Sequence, residues 1–161
     1  RYEVVNGVLY TLPSPNRWHQ DAVLRFSHYL LLHIKREDMG RVFIAPFDVE
    51  LTPDVVVQPD VMVILKENLD KVTKSRVIGA PDLVIEVSSP GTVGHDRRSK
   101  QDKYAQAGVS EYWIADPAAQ TVEVLVLQGD EYQSCGVFSE QDTLPSKIVP
   151  GLAVHVQQFF E

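Results

Sequence analysis

The sequence predicts an α+β domain built on a mixed central sheet flanked by helices. Three observations predict it. Two near-continuous apolar runs, VVVQPDVMVIL over 55–65 and DLVIEVSS over 82–89, read as strands covered on both faces. Two segments, 16–39 and 96–107, read as helices. The strings EYWIAD, TVEVLVL and EYQSCGVFS read as further strands, the last continuing an antiparallel meander.

The elements follow in order. YEVV and VLYTL flank Asn6-Gly7, the strongest short signal for a two-residue hairpin turn. Pro13 and Pro15 close that segment. Over 16–39, Val23, Phe26, Leu30 and Ile34 recur at helical spacing, and Gly40 is expected to cap the end. RVFIAPFDVEL reads as one alternating strand with Phe43, Ala45, Phe47, Val49 and Leu51 on one face. Pro46 marks an edge or a bulge in it. Lys66 to Ala80 is a polar connection with some helical character. The second helix, 96–107, ends at Gly108. The tail GLAVHVQQFFE closes with a short helix that packs Phe159 or Phe160.

At 161 residues the chain is long enough for a sizeable core, and we expect one domain over 1–161. Cys135 is its sole cysteine, which excludes an internal disulfide and a Cys-rich zinc site and suits a reducing cytoplasm. No signal peptide is read, and no apolar run approaches the roughly 18 residues that span a membrane. Net charge is −7, from 15 Lys and Arg against 22 Asp and Glu. That balance argues against non-specific nucleic-acid binding, but not against an enzyme that meets phosphate through bound metal. Arg97, Arg98, Lys100 and Lys103 cluster, as on a solvated helix face.

Asp60 and Glu86 are the informative positions, because a carboxylate within an apolar strand is costly to bury without compensation. If the two strands are neighbours, the carboxylates converge at one end of the sheet. Hard cations such as Mg²⁺ take one or two carboxylates plus water and phosphate. Lys100 shares a helix stripe with Asp96 and Tyr104, so its ammonium can reach the same place. Blander readings stay open. Asp60 would cap a turn, Glu86 would pair in a structural salt bridge, and Lys100 would pair with Asp96 in solvent. His19 opens the inward stripe of the first helix, as a ligand-orienting group or as a satisfied helix-start histidine. Glu3 joins the site or points outward.

The strings YEVVNG, QPDVMV, DLVIEVSSP, DRRSKQDKY and AGVSEYWIADP, with His19 opening a helix, resemble a large bacterial family of restriction-endonuclease-like proteins, numerous in cyanobacteria. The resemblance runs from Tyr2 to GLAVHVQQFF. It looks like a branch of the PD-(D/E)XK nuclease superfamily, and implies a restriction-endonuclease-like core with an added N-terminal hairpin. Asp60 matches the Asp of the PD element, and Glu86 matches the second acid. The usual lysine two residues later is here Ser88, and Lys100 on the next helix stands in for it. The resemblance implies Mg²⁺ or Mn²⁺ held by Asp60, Glu86 and the carbonyl of Val87, with Lys100 assisting water. Glu3, His19, Ser88 and Asp96 would stand behind these groups or face substrate. It implies hydrolysis of nucleic acid, with DNA as the expected partner.

Two other classes of function are weighed beside this one. Ser88 and the acidic net charge favour a catalytically retired fold acting as a homodimeric binding module. An acidic surface also suits a small phosphodiester. A homodimer is expected, with Trp18, Phe43 and Phe47 as aromatic surface in excess of one core.

Overall fold

A computed structural model of the chain describes residues 1–89 and 95–161, with only the backbone of His95 and Asp96. Strands β1 (Tyr2–Val5) and β2 (Val8–Thr11) pair as a hairpin. Asn6 at φ 52° and Gly7 at φ 75° give the turn the twist that two paired strands require. Helix α1 (Arg17–Arg36) follows. Asn16 caps it by accepting the His19 N–H at 2.9 Å, which fixes the turn that carries His19. Its inward stripe is His19, Ala22, Phe26, Leu30, His33 and Ile34. Val23 is only half-buried.

Gly40 does not cap α1. The helix ends at Arg36, Asp38 takes the left-handed turn at φ 50°, and Met39 N–H bonds back to Ile34 O at 3.0 Å. Gly40 instead opens β3 (Gly40–Ile44), at φ 152°. There it lies against its partner strand so closely that a Cβ would stand 2.1 Å from Ile64 O.

The expected single strand over 41–51 is two strands in different sheets. β3 ends at Ile44, and β4 (Asp48–Thr52) begins after Pro46, which has no N–H to continue a ladder. The apolar run 55–65 is divided in the same way. β5 (Val55–Val57) and β6 (Val61–Leu65) flank Gln58-Pro59-Asp60. A 3₁₀ helix (Lys66–Lys71) and β7 (Arg76–Ile78) occupy the polar connection. β8 (Leu83–Val87) and α2 (His95–Ala107) come next, then β9 (Glu111–Asp116), β10 (Thr121–Gln128) and β11 (Glu131–Ser139). A second 3₁₀ helix (Val156–Phe159) ends the chain, with Phe159 stacked on Phe26 at 4.1 Å.

The strands form a six-stranded sheet, β11-β10-β9-β8-β6-β3, and a five-stranded sheet, β2-β1-β5-β4-β7. The first is mixed, because β8 and β9 run parallel while its other neighbours are antiparallel. Side chains alternate across it. Val61, Val63, Leu83 and Ile85 pack on the face covered by Phe26, Leu30 and Phe159. Met62, Ile64 and Val84 pack on the other face with Val49, Val57 and Val77 of the second sheet and with Tyr104 of α2. The six-stranded sheet is thus the middle layer. The expected mixed sheet and hairpin are present, and the second sheet is an addition to that expectation. Phe43 and Phe47 pack against the inter-sheet core, stacked at 5.3 Å. Among the described residues no helix is long and apolar enough to cross a membrane.

Gly40→Ala tests the close approach of β3 to β6. Its Cβ would also lie 2.8 Å from Leu65 Cα, and both clashes are with backbone. We expect a loss of about 3 kcal/mol or more in urea unfolding, at the severe end for a point substitution. Unchanged stability would show that the strands can part without cost.

Candidate active site

Asp60 stands where the chain crosses from the five-stranded to the six-stranded sheet. Three elements converge on its carboxylate. Arg1 Nη1 donates to Oδ1 at 2.9 Å. Val87 N–H, on β8, donates to Oδ2 at 2.8 Å, and His19 Nε2, on α1, lies 3.1 Å from the same oxygen. Arg1 also bonds the carbonyl of Gln58. Burial by itself would raise the Asp60 pKa. The hydrogen bond and charge of His19, then Val87 N–H and Arg1, outweigh it and hold the group at about 2.

Glu86 and Lys100 form the second half of the site. Lys100 Nζ lies 2.9 Å from Glu86 Oε1 and 2.9 Å from Glu3 Oε1. Tyr104 donates its hydroxyl to Glu86 Oε1 at 2.6 Å. Lys100 and Tyr104 are four apart on α2, so one helix face delivers both donors. Glu3 is 3% exposed and also accepts the Gln58 N–H at 2.9 Å. The alternative of an outward Glu3 is therefore excluded. The reach of Glu3 follows from the hairpin, because β1 pairs with β5 just before the crossing.

Electrostatics separate these groups. Glu86 is pushed up to about 7, chiefly by burial, with Asp60 and Glu3 adding repulsion against the opposing pull of Lys100. Burial works against the Lys100 charge, but Glu86 and Glu3 override it and hold the ammonium well above the usual lysine range. Burial and the same two carboxylates hold the Tyr104 hydroxyl protonated, hence a donor. Arg1 and His19 both serve Asp60, whereas Glu3 and Glu86 share the single ammonium of Lys100. Arg1 Nε, His19 Nδ1 and Gln58 Oε1 are buried without hydrogen-bond partners among the described residues. Such groups are costly, and their gathering here leaves polar capacity for water or ligand.

These residues open onto a cavity of about 850 Å³ that Asp60, Glu86, Val87, Ser88, Lys100 and His19 all line. The structure therefore brings together Glu3, His19, Asp60, Glu86, Val87, Ser88 and Lys100. The Asp96 side chain lies outside the described residues. Lys103 lines a separate hollow with Asn6 and Asp54. Sequence reasoning missed Arg1 and Gln58, and treated Tyr104 as core alone. The i to i+4 spacing of Lys100 and Tyr104 is the one signal that pointed to the tyrosine hydroxyl.

The Asp60 cluster predicts an acid limb in stability. A carboxylate whose pKa falls on folding binds fewer protons folded than unfolded. Its contribution, about 2 kcal/mol for a shift from 3.8 to about 2, is full above pH 4 and lost as pH falls toward 2. Without added metal, Asp60→Asn is expected to be less stable near neutrality and to lack that part of the acid limb. Urea unfolding across this range checks it, and parallel limbs in the two proteins would refute the assignment.

Comparison with known proteins supplies the family. No protein of curated function matches the chain. A crystal structure from Anabaena variabilis, described as "a putative nuclease belonging to DUF820", is similar with a TM-score of 0.81 at 22% identity. The match covers 99% of this chain and 89% of that one, and it shows a shared nuclease-like fold. Residues 1–157 match the Uma2 family, described as "Putative restriction endonuclease", a span that includes Asp60, Glu86 and Lys100. The chain is a member of that family.

Proposed function

We propose that this protein hydrolyses phosphodiester bonds of DNA with Mg²⁺ or Mn²⁺ held by Asp60, Glu86 and the main-chain carbonyl of Val87. The observation that carries this reading is the convergence of Asp60, Glu86 and Lys100 on one cavity. The donor set fits such a cation. Two carboxylates are the number that Mg²⁺ takes when water and phosphate complete its shell. Excess negative charge around Glu86 is what a cation would relieve. Asp60 accepts one bond on Oδ1, and Lys100 and Tyr104 both meet Glu86 at Oε1, so each carboxylate keeps lone-pair capacity. The set does not fit an all-protein cage, since no three His, Cys, Asp or Glu among the described residues are grouped to hold an ion.

When bound, the cation supplies charge neutralisation at the phosphate and a more acidic attacking water. The residues divide the remaining work. Lys100 stays protonated, so it donates toward phosphate oxygen and stabilises developing charge rather than accepting a proton. Glu86, once it ligates the cation, is held as the carboxylate, and the proton of the attacking water leaves to solvent. Water oxygen bonds to phosphorus, the ester P–O bond breaks, and the departing oxygen takes up a proton. Arg1 and His19 hold Asp60 in place. Cys135 is exposed and unpaired, which suits the reducing cytoplasm.

The retired-module reading has one observation in its favour. Both oxygens of Asp60 are already engaged by protein donors. Metal titration separates the two. We expect Mg²⁺ or Mn²⁺ to bind the wild type in calorimetry, and Glu86→Gln to abolish it. Ligation displaces the Glu86 proton, so affinity should fall about tenfold per pH unit below about 7 and level off above it. A cleavage screen that stays negative for a metal-loaded protein would favour the binding module.

The second copy of a homodimer fits the outward stripe of α1. Leu24, Leu31 and Leu32 are 68%, 54% and 56% exposed, directly opposite the core stripe. Asp21 begins this stripe, His28 lies mid-way and Lys35 ends it. Two such helices, antiparallel about His28, would set leucine on leucine and Asp21 against the partner's Lys35. That self-complementarity is what a two-fold contact requires. Sedimentation should show a dimer at micromolar concentration and a monomer for Leu24→Glu/Leu31→Glu. A monomeric wild type would sink the idea.

A further inference from the structure

We propose that the cavity takes a single, unpaired strand of nucleic acid, with a base stacked on Trp18. This rests on the phosphodiester reading above and names the form of its substrate. Duplex DNA carries a charge about every 1.7 Å and is held by many basic contacts. The cavity does not offer them. Among the described residues its lysine and arginine side chains are Arg1, Arg97 and Lys100. Arg1 is engaged by Asp60, and Lys100, with contacts to Glu3 and Glu86, keeps one donor, enough for a single phosphate. Asp21 and Asp116 also line the opening and repel phosphate.

What the cavity offers instead is apolar, flat surface. Trp18 stands in the first turn of α1 at its edge, 56% exposed. Pro13 and Pro15 from the hairpin exit, Ile114 and Pro117 around the end of β9, and Phe160 continue the wall. The Arg17 guanidinium lies over the Trp18 ring, 4.1 Å from its centroid, so one face of the ring carries a cation and a base would stack on the other. A base can use such a surface only when it is free of its complement. Stacking of this kind is worth about 1–3 kcal/mol per base and is tolerant of sequence. It also needs few cations, which suits a chain of net charge −7.

Fluorescence tests this directly. The chain has two tryptophans, and Trp113 is fully buried, so quenching by acrylamide reports on Trp18. A short oligothymidylate should protect the wild type from quenching, and a blunt duplex of equal length should not. By anisotropy, Trp18→Ala should bind the oligothymidylate about tenfold more weakly and Trp18→Phe nearly as well as wild type, with Tm unchanged in both. Duplex bound as tightly as single strand, no loss in Trp18→Ala, or no binding of either probe would overturn the proposal. Equal competition by thymidine monophosphate would overturn it too, in favour of a small phosphodiester. Binding is read without turnover. Absent hydrolysis with single-strand binding intact therefore counts against the phosphodiester reading alone. Hydrolysis with duplex preference counts against this inference alone.

Discussion

The fold turns on the largely buried ammonium of Lys100, held 2.9 Å from both Glu3 and Glu86. Each partner comes from a different element: the hairpin strand β1, the central strand β8 and the helix α2. Removing the lysine would leave the buried Glu3 and the partly buried Glu86 facing each other, a loss that ordinarily exceeds what any single surface pair contributes. The same ion triad therefore fixes the five-stranded sheet and α2 against the middle layer. It also sets the charge balance of the cavity. Stability and chemistry share these atoms, so a change that suits one will disturb the other.

Position follows from topology. Gln58-Pro59-Asp60 is the short crossing between two sheets, and its backbone polar groups cannot join either ladder fully. Glu3 accepts the Gln58 N–H, Arg1 bonds the Gln58 carbonyl, and Asp48 accepts from the Gln58 side chain. The crossing meets the carboxyl end of β8, which runs parallel to β9. In sheets with parallel strands, ligands settle beyond such strand ends, where loops leave the layer. Asp60 and Glu86 meet there because β6 and β8 are adjacent and antiparallel, so the start of one faces the end of the other.

Much of this was legible in the sequence. The Asn6-Gly7 turn, the inward stripe of α1 and the polar breaks in apolar strands are local signals, and they name the hairpin, the helix and the acidic pair. The two-sheet division was not legible. A strand keeps period two whichever sheet it joins, so 41–51 reads as one element even though its halves pair with β6 and with β5. Gly40 misled for a related reason. A glycine after a helix suggests a cap, and the close backbone of Ile64 that demands it is remote in sequence. Arg1 carries no local signal at all, since its role depends on where the hairpin lands.

The acidic chain and the phosphate chemistry proposed for it are compatible because the site leaves so little positive charge free. A nuclease that grips a duplex spends many cations on phosphates, whereas here Arg1 and Lys100 are both occupied by carboxylates. On the proposed reading, phosphate would be met by a bound cation and the remaining donor of Lys100, and the strand by stacking. Both are local interactions, confined to one cavity, and neither needs a basic surface. Ser88 fits the same logic. A lysine at that strand position would add a cation beside Glu86. Lys100 brings its charge from α2 instead, already paired with Glu3, and Ser88 remains half-buried on the cavity wall. Its place on α2 couples the cation to the hairpin through Glu3. That coupling makes β1 and β2, an addition to the core, part of what holds the site in shape.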